Sequence, residues 1–141
     1  MKVRDVMTAD PVRIDASETA AAAARLLSRH NIGILPVCKN ETLIGVVTDR
    51  DIVLRCVAAG LSPDSTGVSR AMTQRVVTVC ADDDLRLVSE KMAKEQVRRL
   101  PVVQGRKLVG MVSLGDLARQ PDYSAEAAEC LCDVCDNTSM R

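Results

Sequence analysis

The stretch Leu43-Ile44-Gly45-Val46-Val47-Thr48-Asp49-Arg50-Asp51 decides the fold. Its first five residues are apolar or glycine, as in a short buried strand. Its last four are polar, as in a turn that opens a helix. The stretch returns as Leu108-Val109-Gly110-Met111-Val112-Ser113-Leu114-Gly115-Asp116, 65 positions later. Each copy sets a hydroxyl and a carboxylate three residues apart at the mouth of a helix: Thr48 with Asp51, and Ser113 with Asp116.

Working outward, the same shift aligns Met7-Thr8 with Met72-Thr73 and Val12 with Val77. It aligns Leu35-Pro36-Val37 with Leu100-Pro101-Val102, and Leu43, Gly45 and Val47 with Leu108, Gly110 and Val112. No gap is needed from Met7 to Leu117, so the chain is an internal duplication. Each copy reads as strand, helix, strand, strand, helix. In the first, Pro11–Ile14 is a strand and Asp15-Ala16-Ser17-Glu18 has a capping-box pattern ahead of a helix over Thr19–Arg29. Asn31 and Gly33 end that helix. Ile34–Cys38 and Leu43–Val47 form a hairpin, and a helix over Asp51–Ala59 is closed by Gly60. Val3–Met7 is a lead-in expected to pack on the other repeat. The boundaries expected are repeat 1 over 1–60, a linker over 61–68, repeat 2 over 69–120, and an acidic, cysteine-containing tail over 121–141. The fold class is α+β, with two small sheets packed with pseudo-two-fold symmetry, because about 50 ordered residues bury too little surface alone.

Composition narrows the function. Of 141 residues 47% are hydrophobic, so a core is available, but Tyr123 is the only aromatic and the core must be aliphatic. The formal net charge is zero. Without a cationic footprint or aromatic platforms, no nucleic-acid partner is expected. No long apolar run calls for a membrane. Met1–Asp5 lacks the apolar core of a signal peptide, so the expected compartment is the cytoplasm, where cysteines are thiols or metal ligands before they are disulfides.

The duplicated turn has the chemistry for an adenine nucleotide. A carboxylate accepts both hydroxyls of a ribose diol, a hydroxyl serves ribose or phosphate, and apolar strands suit the base. Asp51 and Asp116 suit the diol, with Thr48 and Ser113 beside them. Arg98-Arg99 adds cationic charge, where the first copy has Gly33-Ile34. Plain helix capping would also explain one such turn, and a solvated pair would explain the arginines. Two turns at matched positions favour a site. His30, near a helix end, is given no catalytic role. No Ser/His/Asp set is present, so no catalytic residue is named and the chain is not read as an enzyme.

The motifs Met7-Thr8, Ile32-Gly33-Ile34-Leu35-Pro36-Val37 and Gly45-Val46-Val47-Thr48-Asp49-Arg50-Asp51 resemble the CBS domain, named for cystathionine beta-synthase. Met72-Thr73, Val97-Arg98-Arg99-Leu100-Pro101-Val102 and Gly110–Asp116 repeat them. The resemblance covers about Val3 to Arg119 and describes a tandem pair, or Bateman module. It implies a regulatory module that binds AMP, ADP, ATP or S-adenosylmethionine in the cleft between the repeats, and signals by conformational change to a regulated protein or to its mate in a homodimer. No cofactor is required. Carried over residue by residue, it implies that Thr48 and Asp51 join Thr73, Val77, Val97, Arg98 and Arg99. It likewise implies that Ser113 and Asp116 join Thr8, Val12, Ile32, Gly33 and Ile34. The Thr48/Asp51 site would be the better nucleotide site, because the arginines would serve it.

The resemblance does not explain the end of the chain. Cys130-x-Cys132-x-x-Cys135 offers three thiolates within six residues, one short of a closed zinc site. The alternatives are a mobile end with free thiols, or a metal- or redox-responsive interaction protein acting through these cysteines. Cys38, on a core strand, reads as a small buried hydrophobe.

Overall fold

The structure is a computed structural model that describes residues 1–139. In chain order its strands are β1 Thr8–Ala9, β2 Ile14–Asp15, β3 Ile34–Lys39, β4 Thr42–Thr48, β5 Val79–Cys80, β6 Arg99–Gln104 and β7 Lys107–Ser113. Its helices are α1 Ala20–His30, α2 Asp49–Ile52, α3 Val68–Ala71, α4 Leu85–Glu95, α5 Leu114–Ala118 and α6 Ser124–Ser139. A π-helical stretch, Val53–Val57, prolongs α2.

The fold is α+β, and the duplication holds residue for residue. In the first hairpin Leu35 pairs with Val47, Val37 with Gly45 and Lys39 with Thr42. In the second Leu100 pairs with Val112, Val102 with Gly110 and Gln104 with Lys107. Even the bulge recurs, between Val37 and Cys38 and between Val102 and Val103. The positive φ each turn needs falls on Asn40 in one copy and on Gly105 in the other. In each copy a short parallel strand, β2 or β5, flanks the hairpin.

The compact units are offset from the sequence repeats. One unit is the continuous segment Val12–Val76. The other joins Met1–Pro11 to Val77–Arg141. Each repeat's lead-in therefore belongs to the unit built on the other repeat's hairpin. Val3 is fully buried beside Leu85, Val88 and Leu100. Its N–H donates to the Asp83 carbonyl at 3.0 Å, and Leu85 N–H donates to the Met1 carbonyl at 3.0 Å. Arg4 also pairs with Asp82, at a water-exposed place where such pairs add little. In the continuous unit, Val68, Ala71 and Met72 close a core of Ala20, Leu27, Leu35, Val37 and Val47.

The lead-ins cross the hairpins at glycine. Thr73 exchanges two backbone hydrogen bonds with Val46, at 2.8 and 3.0 Å. A Cβ on Gly45 would lie 2.6 Å from Met72 Sδ and 2.9 Å from the Thr73 carbonyl oxygen. In the second copy Thr8 pairs with Met111, and a Cβ on Gly110 would lie 2.5 Å from Met7 Sδ and 3.0 Å from the Thr8 oxygen. The crossing also accounts for Pro36. Its pairing residue Val46 commits both its N–H and its carbonyl to Thr73, so the N–H that proline lacks is not needed.

Two sequence expectations change. Asp15 does not form a capping box: its carboxylate accepts from Ser17 N–H at 2.9 Å and from Ser17 Oγ at 2.7 Å. Those bonds hold its carboxyl below the ordinary value. Thr19 caps α1 instead, its hydroxyl accepting from Ala22 N–H. Ser124–Ser139 is a helix. Tyr123, Ala127, Cys130 and Val134 bury themselves in the core containing Leu114 and Leu117. Their spacing of four, three and four is one helical face.

Gly45→Ala is expected to lower stability by about 1–3 kcal/mol, because backbone as well as the Met72 side chain must give way; urea denaturation measures it. A fragment of residues 12–76 is expected to show more helix by circular dichroism and a sharper urea transition than the equally long fragment 1–65, which lacks Val68, Ala71 and Met72.

Candidate functional site

Both turns form as closed capping boxes. Thr48 Oγ1 accepts from Asp51 N–H at 3.0 Å, and Asp51 Oδ2 accepts from Thr48 N–H at 3.0 Å. Ser113 Oγ and Asp116 N–H, and Asp116 Oδ2 and Ser113 N–H, repeat this at 3.1 and 2.8 Å. The reciprocal bonds fix the carboxylate with one oxygen spent on the backbone. Capping and ligand holding are therefore compatible here: the cap orients the acid, and the other oxygen is the one a ligand would meet.

The lead-in crossing adds a threonine to each turn. In the Val12–Val76 unit, Thr73 Oγ1 lies 3.5 Å from Asp51 Oδ2, at the long limit of a hydrogen bond. Arg55 Nη1 holds that lead-in by donating to the Met72 carbonyl at 2.7 Å and to the Ala71 carbonyl at 3.2 Å. In the other unit, Thr8, Arg99, Met111, Ser113, Asp116 and Arg119 line a mainly polar cavity of about 280 Å³.

Thr48, Asp51 and Thr73 thus come together in one unit, and Ser113, Asp116 and Thr8 in the other, as the sequence groups them. The arginines do not follow the sequence grouping. Sequence reasoning gives Arg99 to the Thr48 turn, but the register of β6 and β7 sets Arg99 opposite Ser113. Arg99 therefore lines the cavity at the second turn, together with Arg119. Arg98 is exposed, and its backbone carbonyl accepts from Leu114 N–H at 2.9 Å. Ile34 stands opposite Thr48 at the place matched to Arg99. Val77 and Val97 pack on the core that holds Leu100, and Val12 on the core that holds Leu35. Gly33 is exposed with open space around its Cα. Ile32 lines a separate, mainly apolar groove of about 320 Å³ with Ala24, Leu27, Asp49, Ile52 and Val53. Arg119 was missed, although its position three residues after Asp116 on a helix is the spacing of a facing pair.

The three cysteines of the final helix do not share one face. Among the described residues, no group of three or more His, Cys, Asp or Glu is placed to hold a metal. On α6, Cys130 turns into the core while Cys132 and Cys135 are exposed. Two and five residues along a helix turn about 200° and 500°, so the three thiols cannot converge on one ion. Burial, with Asp133 nearby, pushes the Cys130 thiol above its ordinary range, which also disfavours a thiolate ligand.

The chain belongs to the CBS-domain family, whose sequence model matches it twice, over residues 3–57 and 68–122. It is 38% identical over 132 residues to the CBS domain-containing protein YhcV of Bacillus subtilis, covering 94% of each chain. It is 38% identical over 123 residues to Hypoxic response protein 1 of Mycobacterium tuberculosis, covering 86% of each. Among solved structures it resembles Hypoxic Response Protein I with two coordinated zinc ions, with TM-score 0.79 and 36% identity over 85% of this chain and 98% of that one. It also resembles the CBS domain pair of protein MJ0100 in complex with 5′-methylthioadenosine and S-adenosyl-L-methionine, with TM-score 0.72 and 29% identity over 84% and 92%. No helix among the described residues is long and apolar enough to cross a membrane.

A thiol reagent applied to the native protein at neutral pH is expected to label Cys80, Cys132 and Cys135 quickly. Cys38, Cys56 and Cys130 should react only slowly, because they are buried. Raising the pH should speed Cys38 and Cys130 late, since burial pushes both thiols above the ordinary range. Peptide mapping after timed alkylation checks the order.

Proposed function

We propose that the chain is a regulatory module that binds adenosine-containing ligands at its two Ser/Thr-x-x-Asp turns and performs no chemistry of its own. The observation that carries this is the doubled constellation itself. A carboxylate is fixed by its own backbone, with one oxygen unspent on the cap, beside a hydroxyl and a lead-in threonine, at matched positions of a duplicated fold. A ribose diol offers the two donors such a carboxylate accepts. The binding of 5′-methylthioadenosine and S-adenosyl-L-methionine by the MJ0100 domain pair supports the ligand class. AMP, ADP, ATP and S-adenosylmethionine remain the candidate effectors, and the cavity holding Arg99 makes the Ser113/Asp116 turn the stronger site for a nucleotide.

For regulation the ligand must bind two states with different affinity. The reading includes a homodimer, in which the exposed Val53, Leu54 and Val57 on the π-helical stretch meet a second copy, and a regulated protein that reads the change. It places the chain in the cytoplasm, where free thiols persist.

Calorimetric titration of AMP, ATP and S-adenosylmethionine tests the reading. Asp51→Asn and Asp116→Asn keep an oxygen for the cap while removing the charge. Each is expected to weaken binding at its own turn about tenfold or more. Unchanged heats in both variants would reject the assignment. Val57→Asp is expected to shift the mass measured by light scattering from dimer to monomer.

A further inference from the structure

The two turns share the capping box but differ in the side chains placed around it. Asp116 Oδ1, the oxygen its cap leaves unspent, accepts from Arg119 Nη1 at 2.9 Å. Arg99 lines the same cavity. The matched positions in the first copy, by the shift of 65, are Leu54 for Arg119 and Ile34 for Arg99. At these two places one turn has guanidinium groups and the other aliphatic side chains; the first copy's own guanidinium, Arg55, is already engaged by the Met72 and Ala71 carbonyls and by Thr73 Oγ1.

The Arg119 side chain is 74% exposed, whereas that of Asp116 is 16% exposed. Such a pair is weak, because water competes for the guanidinium. It is also in the way: a ribose diol must compete with Arg119 for Oδ1, the oxygen the cap leaves open. Displacement leaves a cation without its partner beside the ligand. A phosphate on that ligand supplies a new and geometrically well-matched partner, since guanidinium binds phosphate through parallel hydrogen bonds. An uncharged 5′ group supplies none, and a sulfonium repels it.

We infer that the Ser113–Asp116 cavity selects adenosine ligands carrying a 5′-phosphate, and that Arg119 is the specificity-determining residue, passing from Asp116 to the phosphate as the ligand enters. The Thr48–Asp51 turn, with Ile34 and Leu54 at the matched places, makes no such demand and accepts an uncharged 5′ substituent. One chain then offers two half-sites of the same ribose chemistry and different 5′ preference. This inference rests on the reading of the acid turns as ribose acceptors.

The test uses the full chain carrying Asp51→Asn, so that the Ser113–Asp116 cavity dominates the signal. AMP and 5′-methylthioadenosine share base and ribose and differ at the 5′ group. Calorimetry is expected to give AMP about a tenfold preference, shrinking as ionic strength rises. Adding Arg119→Leu should remove most of that preference by weakening AMP alone, with 5′-methylthioadenosine bound equally or more tightly because Asp116 is released. Arg119→Lys should restore part of the AMP affinity. Thermal melts of these variants should coincide, since the side chain is exposed. Equal weakening of both ligands by Arg119→Leu, or no effect on AMP, overturns the inference and leaves the adenosine reading standing. If neither ligand binds even the unsubstituted chain, the adenosine reading falls and takes this inference with it.

Discussion

The structure depends on a close crossing of two backbone segments. A Met-Thr lead-in passes over the return strand of a hairpin at the one residue type that leaves room for it, once at Gly45 and once at Gly110. Methionine fits the task, since its flexible thioether lies flat in the space a Cβ would fill. The backbone bonds between Thr73 and Val46 then fix where the threonine hydroxyl sits, one helix mouth away from Asp51. The glycines, the methionines and the threonines of the motif are thus parts of one contact, although up to 103 positions separate them in sequence (Met7 to Gly110).

That contact explains why the acid turns need the lead-ins. A capping box alone orients a carboxylate but leaves it on an open surface. With the lead-in across the strand, Thr8 closes one side of the cavity that Arg99, Ser113 and Asp116 line. Duplication supplies this backbone twice, and divergence has altered the side chains around it. The first copy keeps aliphatic groups where the second places arginines, so a symmetric scaffold carries an asymmetric pair of surroundings.

Much of this was legible in the sequence, because duplication makes distant residues comparable. The ungapped diagonal exposed the hairpins and both acid turns. That Val3–Met7 packs on the other repeat was expected from the sequence; that the second lead-in joins the unit Val12–Val76 was not. The position of Arg99 was misjudged for want of register. Counting back from the Gly105 turn, with the bulge at Val102/Val103 included, would have set it opposite Ser113. Asp15 misled because its side chain bonds locally to Ser17, an alternative open to any aspartate ahead of a serine. The final helix was hidden by chemistry: reading Cys130 as a ligand obscured that Tyr123, Ala127, Cys130 and Val134 already spell an apolar stripe.

The single tyrosine has an optical consequence. With no tryptophan or phenylalanine in the chain, every near-ultraviolet signal above the peptide bands comes from Tyr123. That ring is buried where α6 meets the core of the unit holding Ser113 and Asp116. Its emission therefore watches one half of the molecule and is blind to the other, a built-in dye for separating the melting of the two. The same scarcity makes the chain nearly invisible at 280 nm, so its concentration is better taken from peptide absorbance.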